Sequence, residues 1–132
     1  MKIVLKYFLS LAILVCVNCI YAQNIIHLAS ITQNLKTPVR IAIDNADTIY
    51  VTDASQKHIV KYDPLGNFLG TIIPGGSPLS IAINDNNQVF IGDIETGNIL
   101  RYNSNGTTTV IYTGTLFPSS MVCVSDSIYI VD

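Results

Sequence analysis

The chain has 132 residues, of which 49% are hydrophobic and only 12% are charged, and its formal net charge is −2. Such a composition excludes a disordered, highly charged tail, and the length allows one small domain. The weakly acidic balance also argues against nucleic acid as a partner, because binding a phosphate backbone demands a positive surface.

The first segment, residues 1–22, has the three-part layout of a secretory signal peptide. Lys2 and Lys6 precede an apolar stretch that leads to the small residue Ala22. This stretch is shorter than the roughly 20 residues that a bilayer core requires, so we expect cleavage after Ala22 rather than a stable membrane anchor. The mature protein is therefore expected to be secreted or to reside in the periplasm or cell envelope.

Residues 23–37 form the next predicted segment, and they contain one candidate strand at positions 25–31. Its last part, Ala29-Ser-Ile31, aligns with Gly70-Thr-Ile72 further along the chain. The alignment predicts that this segment supplies a lone fourth strand to a repeat unit of the kind that follows.

From Pro38 onward the sequence repeats with a step of 40 residues. The heptapeptide Pro38-Val-Arg-Ile-Ala-Ile-Asp44 recurs as Pro78-Leu-Ser-Ile-Ala-Ile-Asn84, and a third copy begins at Pro118. The ungapped identities between residues 38–77 and 78–117 are Pro38, Ile41, Ala42, Ile43, Asp53, Ile59, Tyr62 and Gly66. An ordered set of this kind predicts two full units, 38–77 and 78–117, and the beginning of a third at 118–132.

Each unit is predicted to form four short strands. In the first unit these lie around 40–44, 48–52, 58–62 and 68–73, where Ile, Val, Tyr and Thr are frequent and turn residues intervene. The side chains at 45–47 and 85–87 are predicted to bond their own backbone in polar turns. Asn105-Gly106 fits a hairpin turn with positive φ. A helical period is absent after residue 23, so the fold class is all-β.

The second strands are apolar on both faces, as in Ile49-Tyr-Val51 and Val89-Phe-Ile91. Both faces must then be covered, and neighbouring units stacked against each other would cover them. Tyr50, Phe90 and Tyr129 share one repeat position, which predicts a role in packing between units.

These residues resemble the NHL repeat family of β-propellers. The resemblance lies in Pro-x-x-Ile-Ala-Ile-Asp at 38–44, Ile-Tyr-Val-Thr-Asp at 49–53, and Ile-Val-Lys-Tyr-Asp at 59–63 followed by Gly66. It extends over most of residues 24–132 and implies propeller blades of four antiparallel strands. The repeat is also similar to that of the lactonase-like and lyase-like six-bladed propellers.

The predicted architecture is an incomplete, open propeller. A propeller closes with about four to eight blades, whereas this sequence predicts a lone strand, two full blades and two strands of a third. We therefore expect the sequence to be a fragment of a longer propeller protein. The alternative is a part-propeller that assembles with copies of itself, although a lone strand, two full blades and two further strands do not divide evenly into four-stranded blades.

The candidate binding residues lie on one rim of the predicted propeller. They are Arg40, Asp53, Ser80, Asp93 and Glu95. The carboxylates that end the second strands, with Asp132 as the third, could bind a hard cation such as calcium. An Asp that recurs in every unit is better explained by hydrogen bonds to the backbone of the following turn, and we favour that structural interpretation.

Catalytic motifs do not stand out in this sequence. It contains no nucleophile elbow, phosphate loop or metalloprotease signature, and the two histidines, His27 and His58, lack close-spaced partners for zinc. We expect no catalytic residue, no metal site and no cofactor.

The favoured function is a non-catalytic binding scaffold whose rim loops recognise a protein, a peptide or a glycan. The alternative is part of a lactonase-like or lyase-like propeller enzyme with a metal in its central channel.

Overall fold

The computed structural model describes residues 30–132. The predicted signal peptide, His27 and most of the predicted strand at 25–31 lie outside the described residues. Ser30 and Ile31, the last two positions of that predicted strand, are not part of a strand. Within residues 30–132 there is no helix of the length and apolarity needed to cross a bilayer.

The described residues are all-β, as the sequence predicts. The strands are β1 (Pro38–Ile43), β2 (Ile49–Asp53), β3 (His58–Tyr62), β4 (Phe68–Ile72), β5 (Pro78–Ile83), β6 (Val89–Asp93), β7 (Asn98–Tyr102), β8 (Thr108–Thr113), β9 (Ser120–Val124) and β10 (Ser127–Val131). A single 3₁₀ turn, η1 (Ala54–Gln56), joins β2 to β3. The four strands predicted for the first unit all form, with ends that shift by no more than two residues.

Within residues 30–132 the strands are arranged in three antiparallel sheets, none of which closes into a barrel. Sheet 1 has the order β1-β2-β3-β4, sheet 2 the order β5-β6-β7-β8, and sheet 3 consists of β9 and β10. The sequence repeat is also a repeat of register, since Arg40 pairs with Thr52 in sheet 1 as Ser80 pairs with Gly92 in sheet 2.

Side chains of the Asx type hold the turns between the first and second strands. The Oδ1 atom of Asp44 accepts hydrogen bonds from the N–H groups of Ala46 and Thr48, both at 2.9 Å. Asn84 takes the same role in sheet 2. The prediction that residues 45–47 and 85–87 make these bonds was wrong by one position, because the acceptor is the residue that precedes each turn.

Positive φ angles complete these turns. Asp47 and Asn87 have φ of 60° and 58°, and the turns between the third and fourth strands contain Gly66 and Gly106 at 85°. The prediction for the Asn105-Gly106 turn is therefore confirmed. Asp, Asn and Gly adopt this left-handed region more readily than other residues do.

The sheets stack face to face through apolar joints. We call the side of a sheet that faces the next sheet in the chain its forward face, and the opposite side its backward face. Between sheets 1 and 2, Ala42, Tyr50, Ile59 and Ile72 of the forward face pack against Ile81, Ile83, Val89, Ile91, Leu100 and Tyr102. Between sheets 2 and 3, Ala82, Phe90 and Ile99 pack against Met121, Cys123, Ile128 and Ile130. Stacking therefore covers both faces of sheet 2, as its apolar strands predict.

The segment before β1 covers part of the backward face of sheet 1. We call residues 30–37 the N-terminal arm. Ile31 and Leu35 of this arm pack against Val51, Val60 and Tyr62, of which the last two are fully buried. The arm thus packs on strands β2 and β3, and among the described residues it does not cover the β1 part of that face.

Candidate functional site

Asp53 ties the arm to the turn that follows β2. Its carboxylate accepts hydrogen bonds from the backbone N–H groups of Lys36 and Thr37, at 2.6 and 2.8 Å. It also accepts bonds from the backbone N–H of Gln56 and the hydroxyl of Ser55. The side chain is fully buried, so Asp53 holds two loops of its own sheet together.

Asp93 has the same role in sheet 2. Its carboxylate accepts hydrogen bonds from the N–H groups of Ser77, at 2.7 Å, and Glu95, at 3.0 Å, and from the hydroxyl of Thr96. A Cβ atom at Gly76 would lie only 2.0 Å from this carboxylate. The close approach explains why glycine occupies that position.

Asp132 completes the series in sheet 3, where its carboxylate accepts hydrogen bonds from the N–H groups of Leu116 and Phe117. The structural interpretation of the repeated aspartates is supported, since Asp53 and Asp93 both bond the turn that follows them. Sequence reasoning missed the hydrogen bonds that these aspartates accept from the loop before the first strand. The fixed spacing between that loop and each Asp, seen when the units are compared, is the signal that could have predicted them.

The environment of Asp53 changes its acidity. Burial raises the pKa of this carboxyl, but the hydrogen bonds from Lys36, Thr37, Ser55 and Gln56 together lower it more, so the pKa lies below the ordinary value of 3.8. The ionised form is therefore the one that the fold stabilises.

Arg40 is the exposed cation of the predicted site, and it lies on the forward face of β1. Its Nε atom donates a hydrogen bond to the carbonyl of Ser119, at 3.2 Å, although the two residues are 79 positions apart. This bond connects β1 with the loop before β9. The first strands of the three sheets therefore lie side by side along one line through the stack, as β1 to β5 and β5 to β9 contacts also show.

Ser80 occupies the repeat position of Arg40 but is fully buried. Its hydroxyl has no hydrogen-bond partner among the described residues. It fills the space beside Gly92, where an added Cβ would meet the Ser80 Oγ at 2.2 Å and Pro118 at 3.0 Å. In sheet 1 that space belongs to the side chain of Thr52, whose Oγ1 accepts a bond from the N–H of Arg40.

Glu95 is exposed in the turn after β6, and its carboxylate forms an ion pair with Lys57 at 2.7 Å. Both side chains are more than half exposed, at 59% for Lys57 and 51% for Glu95. An exposed pair of this kind contributes little to stability. The pair instead places one positive and one negative charge where the rims of sheets 1 and 2 meet.

The five predicted residues separate by exposure. Arg40 and Glu95 are exposed, whereas Asp53, Ser80 and Asp93 are buried. Asp93 and Glu95 share a hydrogen bond, and Arg40 and Ser80 lie on neighbouring first strands. A rim site built from this set would therefore contact its ligand through the two exposed charges, with the buried residues shaping the loops below.

The side chains that could bind a metal ion are the next feature of the described residues. Within residues 30–132, His, Cys, Asp and Glu side chains do not come together in any group of three or more that could hold a metal ion. The Nε2 atom of His58 lies 3.2 Å from the carbonyl of Asn34, in the N-terminal arm. Cys123 packs in the joint between sheets 2 and 3, where burial raises the pKa of its thiol.

No protein-family model and no curated protein matches the chain. Among solved structures it is similar to hydrazine synthase from Kuenenia stuttgartiensis, a β-propeller-containing protein, with a TM-score of 0.64 and 15% sequence identity. The match covers 83% of this chain and 32% of the other. The chain therefore spans about a third of the length of this neighbour, and at such low identity the likeness is one of fold alone.

Proposed function

We propose that the chain is an exported protein of the NHL-repeat β-propeller type. Its 40-residue repeat with NHL-like sequence supports the family, and the fold likeness to a β-propeller-containing protein supports the architecture. The layout of residues 1–22 supports export.

We further propose that it acts as a non-catalytic binding scaffold through its rim loops, with a protein, a peptide or a glycan as ligand. One observation carries this proposal. Asp53 and Asp93, the recurring aspartates of the two full units, are buried and bonded within their own units, whereas the exposed charges on the same rim, Lys57 and Glu95, do not recur. Variable exposed side chains on a rigid frame are typical of recognition surfaces.

The alternative, a propeller enzyme with a metal in its central channel, is supported less well. A channel metal would draw its ligands from the first strands. The matching positions on these strands are Arg40, Ser80 and Ser120, and a guanidinium or a serine hydroxyl is a poor ligand for a hard cation.

A photo-crosslinking amino acid at position 95 tests the scaffold proposal. We would introduce it into the full chain, produced in its native cells, and compare it with the same group at position 86. Asn86 is exposed in the turn between β5 and β6, at the opposite end of the strands from Glu95. We expect a discrete adduct from position 95, at least several-fold more abundant than from position 86, and less of it after Lys57→Glu. Equal adducts at the two positions, or none at position 95, would contradict recognition by this rim.

A further inference from the structure

A cleft opens between sheets 1 and 2 at the rim opposite the repeated aspartates. Its volume is about 520 Å³, which is typical of ligand-binding clefts in proteins. Its walls belong to two sheets that each have all four strands, β1–β4 and β5–β8. The residues that line it include Tyr50, Asn87, Arg101, Tyr102, Asn103 and Ser104. Two complete repeat units therefore build this cleft between them.

Hydrogen bonds between the two sheets hold one wall of the cleft in place. The backbone N–H of Asn45 donates to the Oδ1 atom of Asn87, at 2.9 Å, and the Nδ2 atom of Asn45 donates to the carbonyl of Asp85, at 2.7 Å. These bonds join the turn after β1 to the turn after β5. They use the Oδ1 atom of Asn87, whereas its Nδ2 donor has no partner among residues 30–132. Asn87 thus offers a fixed amide with one hydrogen-bond donor to spare.

Asn103, which follows β7, offers the complementary group. Its Nδ2 atom donates to the hydroxyls of Thr107 and Thr109, at 3.1 and 2.9 Å, while its Oδ1 atom receives no hydrogen bond from the part of the chain that the structure describes. In sheet 1 this repeat position is Asp63, whose Oδ1 atom accepts two hydrogen bonds from the backbone of its own turn. Sheet 2 therefore leaves available an acceptor that sheet 1 uses internally.

Tyr102 adds a hydroxyl and part of an aromatic wall. Its counterpart in sheet 1, Tyr62, is fully buried and donates its hydroxyl proton to the carbonyl of Gln33 in the N-terminal arm. Tyr102 is only half-buried, and within the described range its hydroxyl has no hydrogen-bond partner. Its ring packs in the joint between sheets 1 and 2, as does that of Tyr50. A ligand in the cleft would thus meet two tyrosines held by packing, one of them with an available hydroxyl.

These groups suit a neutral sugar ring. Sugar hydroxyls both donate and accept hydrogen bonds, and the C–H face of the ring packs on aromatic side chains. An extended peptide would instead use a sheet edge or a row of side-chain pockets. A strongly anionic ligand is disfavoured, because Arg101 is the one cation among the described residues that line the cleft. The Tyr50 hydroxyl also donates to the carboxylate of Asp44, at 3.1 Å, which places a negative charge nearby.

We propose that this cleft binds a neutral saccharide. The amide of Asn87 donates to one hydroxyl of a sugar unit, the amide oxygen of Asn103 accepts from another, and the Tyr102 hydroxyl bonds a third oxygen. The cleft includes neither of the exposed charges at the opposite rim, so the proposal does not depend on the scaffold function described above. Asn86, the control position for crosslinking, does not line the cleft.

Three variants of the full chain test this site. Tyr102→Phe removes one hydroxyl and keeps the ring in the joint. Ser104→Trp places a large ring at the edge of the cleft, from an exposed turn position that the described core does not use. Tyr112→Phe is the matched control, because Tyr112 is 56% exposed on β8 of the same sheet and does not line the cleft.

An array that carries neutral oligosaccharides, sialylated oligosaccharides and short peptides selects the probe. Isothermal titration calorimetry with the neutral oligosaccharide that gives the strongest signal then measures its Kd. We expect the original chain and Tyr112→Phe to bind this probe equally. Tyr102→Phe should bind it about three- to tenfold more weakly, as loss of one hydrogen bond predicts, and Ser104→Trp should show no measurable binding.

Three results would overturn the proposal. The original chain could bind no neutral oligosaccharide on the array; it could bind only sialylated oligosaccharides or peptides, which would indicate a ligand of different chemistry; or Tyr102→Phe and Ser104→Trp could bind the neutral probe as the original chain does, which would place the site elsewhere. If circular dichroism shows that Ser104→Trp has not folded, Ser104→Phe replaces it at the same position.

Discussion

Single side chains close the loops of each sheet, and Asp53 is the clearest case. Because the pKa of this carboxyl is lowered in the fold, its ionised form stabilises the protein at pH values above the unfolded pKa of about 4. That stabilisation is lost as the pH falls through the lower folded pKa. We expect Asp53→Asn to lower the free energy of unfolding by about 1–3 kcal/mol at pH 7, because the uncharged amide oxygen of asparagine accepts the buried hydrogen bonds more weakly than a carboxylate does.

The pH dependence distinguishes this loss from a general defect. Urea denaturation of the original chain and of Asp53→Asn between pH 7 and pH 2 should show the difference in stability shrinking below about pH 4. Asp47→Asn is the control, because Asp47 is exposed and asparagine tolerates its positive φ. A difference that stays constant across this range would show that the charge of Asp53 does not matter.

At the scale of the elements, the pairing of β5 with β6 depends on a match between Ser80 and Gly92. We expect Gly92→Ala to cost about 1–3 kcal/mol, because its Cβ would lie 2.2 Å from the Ser80 hydroxyl. Ser80→Ala alone should be nearly neutral, since the hydroxyl has no partner in the described structure. The double variant should then cost at least about 1 kcal/mol less than the sum of the single changes, as measured by urea denaturation. Additive effects would show that Pro118, and not Ser80, limits the space.

The same elements show what the sequence could and could not predict. Strand positions were predictable, because the repeat aligns β-rich segments with turn residues at a fixed step. The burial of Ser80 was not predictable, because repeat symmetry assigns it the exposed environment of Arg40. The partner strand of Ser80 carries Gly92 where that of Arg40 carries Thr52, and the Ser80 hydroxyl occupies the space that a side chain at position 92 would need. The hydrogen bonds from the N-terminal arm to Asp53 were missed for a related reason. They join residues 16 and 17 positions apart, so no pattern within one unit predicts them, and the fixed spacing becomes visible only when the units are compared.

For the molecule as a whole, the joints between sheets are the main source of stability. The sheets themselves are narrow, and among the sheets of residues 30–132 only sheet 2 has an apolar joint to another sheet on each side. Burial of aliphatic side chains is the dominant favourable contribution to folding. A substitution is therefore expected to destabilise the protein in proportion to the apolar area that it removes from a joint.

Two isoleucines at one repeat position test this view. Ile81 is 5% exposed in the joint between sheets 1 and 2, while Ile41 is 62% exposed on the backward face of sheet 1. In dilute solution we expect Ile81→Ala to cost about 2–5 kcal/mol, through lost burial and a cavity, and Ile41→Ala to cost about 0.5 kcal/mol or less. Thermal denaturation of the two variants and of the original chain measures this difference. Equal losses of stability for the two variants would show that burial in the joint does not stabilise the protein. Stacking of the sheets would then not be the main source of stability.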